Sequence, residues 1–229
     1  FFEFYKRKSS DIKLKKSKKI KIGYLSNDFV FHPVSFLISK VIETHNRAEF
    51  EIYGYSINPV EDDVTKKLAN SFDSFKNISN YSDDLANKKI REDNLDIVID
   101  LMGYTSGTRM GILSMRVAPI QISYLAYPST TGSDQIDYII ADKNIIPQNK
   151  KCFFTEKVVY LPKTFICFDD STKISSTYKP NQFANRTKNS FILVAFHRVE
   201  KLSLSTINCW IRILSEIENS YLWLKKPNN

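Results

Sequence analysis

The sequence predicts an α/β protein built on a doubly wound parallel sheet. Three features carry that prediction: short runs of Ile, Val, Leu and Tyr that read as buried strands, stretches of helical apolar spacing between them, and short polar loops joining the two. Strands that alternate with helices are joined by crossovers, and crossovers leave neighbouring strands parallel. Ligands of such sheets lie beyond the carboxyl ends of the strands, so polar residues just after a strand are the first candidates for chemistry.

Ile20–Leu25 reads as a buried strand ending in the polar loop Ser26, Asn27, Asp28. Val34–Glu43 places Phe36, Leu37 and Val41 at helical spacing, and Phe50–Tyr55 returns to strand. Asp62–Asn70 predicts a helix and Phe72–Ile78 a short strand. Ser82–Glu92 predicts a helix whose opening residues Ser82, Asp83 and Asp84 suit its positive end. Leu95–Asp100 is a strand, Met110–Met115 helical, and Ile120–Leu125 and Asp137–Ala141 two further strands. Three loops therefore follow strands: Ser26–Ser35, Gly103–Arg109 and Ala126–Asp134. Residues 169–189 are rich in Ser, Thr, Asn and Lys without apolar period and read as a linker. Beyond it, Phe191–Phe196, a helix capped by Ser203 and running through Trp210 and Leu214, and Tyr221–Lys225 make one βαβ unit. A lone βαβ cannot bury both of its faces, so the sequence reads as truncated. The expected organisation is a basic tail or linker over 1–19, a complete Rossmann-like lobe over 20–168, a linker over 169–189, and the start of a second nucleotide-fold lobe over 190–229.

Hydrophobic residues make up 42% of the 229, enough to bury a substantial core. The longest apolar runs, Ile97–Met102 and Phe191–Phe196, are too short to cross a bilayer. Phe1–Tyr5 is broken by Glu3 and followed by Lys6, Arg7 and Lys8, unlike a secretory signal, so a cytoplasmic setting without a membrane partner is expected. Cys152, Cys167 and Cys209 are odd in number and widely spaced, which argues against a disulfide framework or structural zinc and for ordinary buried thiols. The net charge of +8 is concentrated in residues 1–22, which hold nine basic and two acidic groups; the other 207 residues carry 24 positive and 23 negative groups. The body is nearly neutral and shows no basic stripe interleaved with aromatics, so nucleic acid is not the expected partner.

Residues 23–37 put His32 on a loop after a strand with Pro33 behind it, where an imidazole can act as base or hydrogen-bond partner to a substrate hydroxyl. Four further segments follow in order: Asp100–Arg109, Arg116–Gly132, Asp137–Asp142 and Thr155–Pro162. Gly103, Gly107 and Gly132 read as turn formers, since none stands in a dinucleotide or P-loop pattern. Asp137 and Asp142 flank a strand at its two ends and read as structural, and Arg109 reads as either a substrate contact or a partner of Asp100.

This series resembles the catalytic region of O-GlcNAc transferases and their SPINDLY-type relatives, and the likeness continues through Phe196–Leu202, Trp210–Leu214 and Ser220–Leu224. The resemblance implies a GT-B architecture, in which N-acetylglucosamine or a related sugar moves from a UDP-sugar to Ser/Thr side chains of a protein or peptide acceptor, with inversion and without an essential metal or cofactor. His32 matches the family's active-site histidine, and Leu125, Ala126 and Pro128 match the loop lining the donor sugar. Lys201 matches the lysine that stabilises the leaving diphosphate, and Arg198 stands where a polar donor contact is usual. Tyr104 and Thr105 are candidate substrate contacts. His32 and Lys201, from separate lobes, would then face one another over a gap sized for a sugar diphosphate. Relatives usually carry Gly where Ala126 and Ser129 stand, and a side chain there could crowd the sugar. Neither the later donor-binding part nor the preceding tetratricopeptide repeats are in this sequence, so the chain alone is expected to turn over little or nothing. The alternative is a catalytically inactive protein-binding module derived from the same family.

Overall fold

The structure, a computed structural model, describes residues 18–171, 189–197 and 199–226. The basic tail up to residue 17, most of the 169–189 linker, and Arg198 therefore lie outside the described residues. The chain divides into two units, Phe1–Thr172 and Lys173–Asn229.

The first unit contains seven parallel strands in the order β3-β2-β1-β4-β5-β6-β7. They are β1 (Ile20–Ser26), β2 (Phe50–Ser56), β3 (Ser74–Asn77), β4 (Ile97–Asp100), β5 (Ile120–Ser123), β6 (Tyr138–Ala141) and β7 (Lys157–Tyr160). Helices α1 (Pro33–Thr44), α2 (Asp63–Ala69), α3 (Asp83–Glu92) and α4 (Met110–Ser114) make the crossovers between the first five strands. Strand alternation sends neighbouring side chains to opposite faces, and each face finds its own helices. Val34, Ile38 and Ile42 of α1 and Leu68 of α2 share a buried cluster with Ile22, Tyr24, Ile52 and Ile99. Ala86 and Ile90 of α3, with Met110, Ile112 and Leu113 of α4, join Leu25, Tyr53, Tyr55 and Val98 in another. The sheet is doubly wound, as the sequence predicts.

Local chemistry sets the helix starts. Asp62 caps α2 in a reciprocal box with Thr65, and Ser82 accepts from the Leu85 N–H at the start of α3. β7 was not predicted: it is a four-residue, half-exposed edge strand whose Val158-Val159 pair is too short to show a period. Beside it, Lys150, Lys151 and Lys157 lie 5.6, 5.2 and 6.0 Å from the ring centres of Phe153, Tyr160 and Tyr138. These are cation–ring contacts, one within the Gln148–Phe153 turn and two between neighbouring elements.

Arg109 does not pair with Asp100. Its Nε and Nη2 donate to Asp83 Oδ1 at 2.9 and 2.7 Å, Nη2 also to the Tyr81 carbonyl at 2.6 Å, and Nη1 to the Ile78 and Ser79 carbonyls at 3.2 and 3.4 Å. The guanidinium fork thus ties the start of α4 to the turn before α3, the fixed geometry of its five donors suiting several acceptors at once. Asp100 instead closes β4: its two oxygens accept from the N–H groups of Met102 (3.0 Å) and Gly103 (2.8 Å). Arg116 holds Asp137 in a two-oxygen pair at 2.7 and 2.6 Å, while Asp137 accepts from the Gln121 N–H at 2.8 Å, which fixes the start of β5. Asp142 is likewise taken up by the N–H groups of Asn144, Ile145 and Phe165.

The second unit pairs β8 (Phe191–Ala195) with β9 (Ser220–Leu224) in parallel across α5 (Leu204–Glu216), with Ser203 as N-cap of α5. No residue of α5 is buried, and Phe191, Val194, Ile207, Ile211 and Leu224 are exposed. Two of the thiols expected to be buried are not: Cys209 lies on this helix and Cys152 on the surface turn Gln148–Phe153, both exposed, while Cys167 is half-buried. Among the described residues no helix is long and apolar enough to cross a membrane.

Arg109→Ala should destabilise the protein by about 1–3 kcal/mol, because it strips three carbonyls, that of buried Ile78 among them, of their donor. Asp83→Ala, which removes only a partly exposed ion-pair partner, should cost under about 1 kcal/mol. Equal losses in denaturant midpoint would show that the carbonyl bonds contribute nothing. Asp100 is buried, and desolvation raises its pKa to about 6 despite the two N–H donors, which act to lower it. The folded state therefore binds this proton more tightly than the unfolded chain. As pH falls from 7 through 6 towards 4, stability rises for this group, and Asp100→Asn removes that dependence. Wild type should gain more than about 1 kcal/mol on Asp100→Asn over that range; parallel stability curves would refute the assignment.

Candidate functional site

Winding reverses between β1 and β4: the chain runs from β1 outward to β3 on one side and from β4 outward to β7 on the other. Loops leaving the carboxyl ends of these two neighbours diverge and open a crevice, the usual ligand position of such sheets. The loops after β1, β4 and β5 therefore emerge side by side, and they carry six of the sequence-predicted site residues: His32, Tyr104, Thr105, Leu125, Ala126 and Pro128.

The loop after β1 is pinned along its length. The Asp28 N–H donates to Ser26 Oγ (2.9 Å), Ser35 Oγ donates to the Asp28 carbonyl (2.5 Å), and the Phe31 N–H donates to Asp62 Oδ2 (2.6 Å). Its last residue, His32, is the N-cap of α1, with extended backbone (φ −142°, ψ 147°) and Pro33 opening the helix. Nδ1 of His32 lies 3.3 Å from Asp28 Oδ2 and 3.4 Å from the Val34 nitrogen. One nitrogen cannot donate to the first and accept from the second. The carboxylate contact is the shorter and charge-assisted, so Nδ1 carries the proton and Nε2 keeps its lone pair. Burial raises the Asp28 pKa and the neighbouring His32 lowers it, with burial the larger effect. The imidazole is about two-fifths exposed while Asp28 is largely covered, so a buried acid orients an accessible base.

The loops after β4 and β5 interlock. Gly103 has φ +53°, and a Cβ there would collide with the ring of Tyr127; Gly107 has φ +80° and lies against Asn27, whose Nδ2 a Cβ would meet at 2.6 Å. These two glycines are turn formers that also allow close approach of neighbouring loops. Tyr104 packs edge-on against Tyr127 with ring centres 5.8 Å apart. Thr105 donates its hydroxyl to the Met102 carbonyl at 2.9 Å. Leu125 is buried at φ +80°, and the Ala126 N–H reaches back to the Tyr124 carbonyl at 3.2 Å, a tight γ-turn rare for a residue with a side chain. Ala126 packs partly buried against the core cluster, while Pro128 and Ser129 are exposed. The Ala126 methyl is therefore engaged with the core.

Lys201 belongs to the second unit, exposed in the single 3-10 turn Val199–Lys201, two residues before the α5 N-cap Ser203. Arg198 lies outside the described residues. Four residues of the site escape a reading of the sequence: Asn27, Asp28, Tyr127 and Glu156. The spacing of Asp28 four residues before His32 is a usable signal; the other three act across loops and leave none.

A model of glycosyl transferase family 41 matches residues 3–179. The chain is 34% identical over 213 residues to a protein of Arabidopsis thaliana named probable UDP-N-acetylglucosamine--peptide N-acetylglucosaminyltransferase SEC, covering 90% of this chain and 22% of that protein. It is 38% identical over 155 residues to the UDP-N-acetylglucosamine--peptide N-acetylglucosaminyltransferase of Caenorhabditis elegans, covering 66% of this chain and 13% of that one. A mutant of the Thermobaculum terrenum O-GlcNAc transferase matches in structure with a TM-score of 0.80 at 26% identity, over 90% of this chain and 38% of the other. The chain thus spans 22% or less of these two curated relatives. The fold is of the GT-B class expected from the sequence, here a seven-stranded Rossmann-like parallel sheet followed by one βαβ unit. Because the family match runs through the whole seven-stranded sheet and all three loops at its switch point, the chain belongs to glycosyltransferase family 41.

Proposed function

We propose that the chain is part of a protein glycosyltransferase that moves N-acetylglucosamine, or a related sugar, from a UDP-sugar to Ser/Thr side chains of a protein or peptide acceptor, in a cytoplasmic setting. The observation that carries this proposal is His32, on the loop after β1 and about two-fifths exposed, with Nδ1 3.3 Å from Asp28 Oδ2 and no partner to Nε2 among the described residues. Relatives named as UDP-N-acetylglucosamine--peptide transferases supply the substrate class.

Transfer with inversion joins the acceptor oxygen to the anomeric carbon as the bond to the diphosphate breaks on the opposite side. The acceptor loses a proton and UDP leaves with added negative charge. Nε2 of His32 is the candidate to hydrogen-bond or take the hydroxyl proton, and Asp28 stabilises the imidazolium that results. Leu125, Ala126 and Pro128 are assigned to the sugar and Tyr104 and Thr105 to further substrate contacts. Arg198 is assigned to the donor. Lys201, just before a helix capped by Ser203, brings a point charge to a positive dipole end and is assigned to the leaving diphosphate, so that no metal is required for that charge.

In the full-length protein containing this chain, transfer of labelled sugar from UDP-GlcNAc should fall about 10²–10⁴-fold in His32→Ala. It should fall about 10²–10³-fold in Lys201→Ala. Unchanged rates in both variants would remove these assignments, and absence of UDP-sugar binding and transfer by the wild type would remove the function itself.

A further inference from the structure

Glu156 is 3% exposed and stands immediately before β7, yet among the described residues it faces no cation. A buried carboxylate without a counter-charge is costly unless donors surround it. Here all its partners are neutral, and three of the four bonds go to one short stretch of chain. Oε1 accepts from the Thr131 N–H at 2.7 Å and from the Thr131 hydroxyl; Oε2 accepts from Thr130 Oγ1 at 2.7 Å and from Thr155 Oγ1 at 3.2 Å. Thr130 Oγ1 in turn accepts from the N–H groups of Gly132 (3.1 Å) and Thr155 (3.3 Å). An acceptor-only group with two oxygens satisfies this donor set; no neutral side chain of that size offers the same.

The other end of the same loop is anchored by Tyr124, whose N–H donates to the Asp100 carbonyl (2.9 Å) and whose hydroxyl donates to the Phe165 carbonyl (2.7 Å). Next to that anchor comes Leu125 at φ +80°. Such a backbone costs about 1–3 kcal/mol and persists only where its surroundings over-determine it. Residues 125–129 hang between the two anchors, and they include the three residues assigned above to the donor sugar.

We infer that Glu156 is a positioning residue for the donor: by gripping Thr130 and Thr131 it holds the 125–129 segment, with its strained turn, in the geometry that meets the sugar. The inference rests on the proposed function for its ligand, but the grip itself does not. Loss of the carboxylate frees three hydroxyls and one N–H and lets Leu125 relax towards an ordinary backbone, which moves Ala126 and Pro128.

The full-length protein with Glu156→Gln, and separately Glu156→Ala, tests this by hydrogen exchange and by steady-state kinetics with UDP-GlcNAc. In Glu156→Gln, amides of residues 124–133 should exchange at least about tenfold faster, one lost hydrogen bond being worth roughly that factor, while amides of β1 and α3 stay unchanged. KM for UDP-GlcNAc should rise with KM for the acceptor unaltered, and Glu156→Ala should be the more severe of the two. Unchanged exchange over 124–133 in the Gln variant overturns the grip. Faster exchange with unchanged donor KM overturns the positioning role. A wild type that neither binds nor transfers the sugar overturns the proposed function and the donor role with it, and the exchange measurement still decides the grip.

Discussion

The constraint on which the site depends is the reversal of winding between β1 and β4. All seven strands run in the same direction, so every strand delivers its following loop to the same edge. Between β1 and β4 the following chain parts, because α1 leads away to β2 and the chain after β4 leads the other way to β5. Backbone groups there are left to be satisfied by loop side chains, and the structure uses Ser26, Ser35, Asp62 and Asp100 to do it.

Those hydrogen bonds explain how an exposed histidine can be well placed. A side chain on a mobile loop would sample many directions; His32 is fixed by its carbonyl, which accepts the Ser35 N–H at 3.0 Å, by Pro33 after it, and by Asp28 before it. The same economy recurs after β5, where the segment assigned to the sugar is short, strained at Leu125 and tied at both ends. Rigidity in these loops comes from polar groups that accept backbone N–H bonds, with the apolar core lying beneath them rather than between them.

The polar residues most easily mistaken for catalytic groups have other work. Arg109, Arg116, Asp137 and Asp142 are conspicuous in the sequence because they flank strands and glycine turns. In the structure each binds backbone or its opposite charge, and together they hold the loops and strand ends in register. Ala126, half-buried, packs against the core cluster beneath its loop.

The sequence by itself determined the class of fold, the order of its elements apart from β7, and the location of the His32 loop. Each of these depends on local chemistry: apolar period, a cap such as Ser82 or Ser203, a proline after a histidine. It also carried the family resemblance, which is a property of ordered motifs and needs no coordinates. Tertiary structure alone decided that Arg109 grips Asp83 and not Asp100, that Tyr127 closes over Gly103, and that Glu156 clamps Thr130 and Thr131 from 25 residues away. Such pairings form between loops whose proximity follows from strand order, and strand order is set by how both faces of the sheet are covered at once, which no local window of sequence contains.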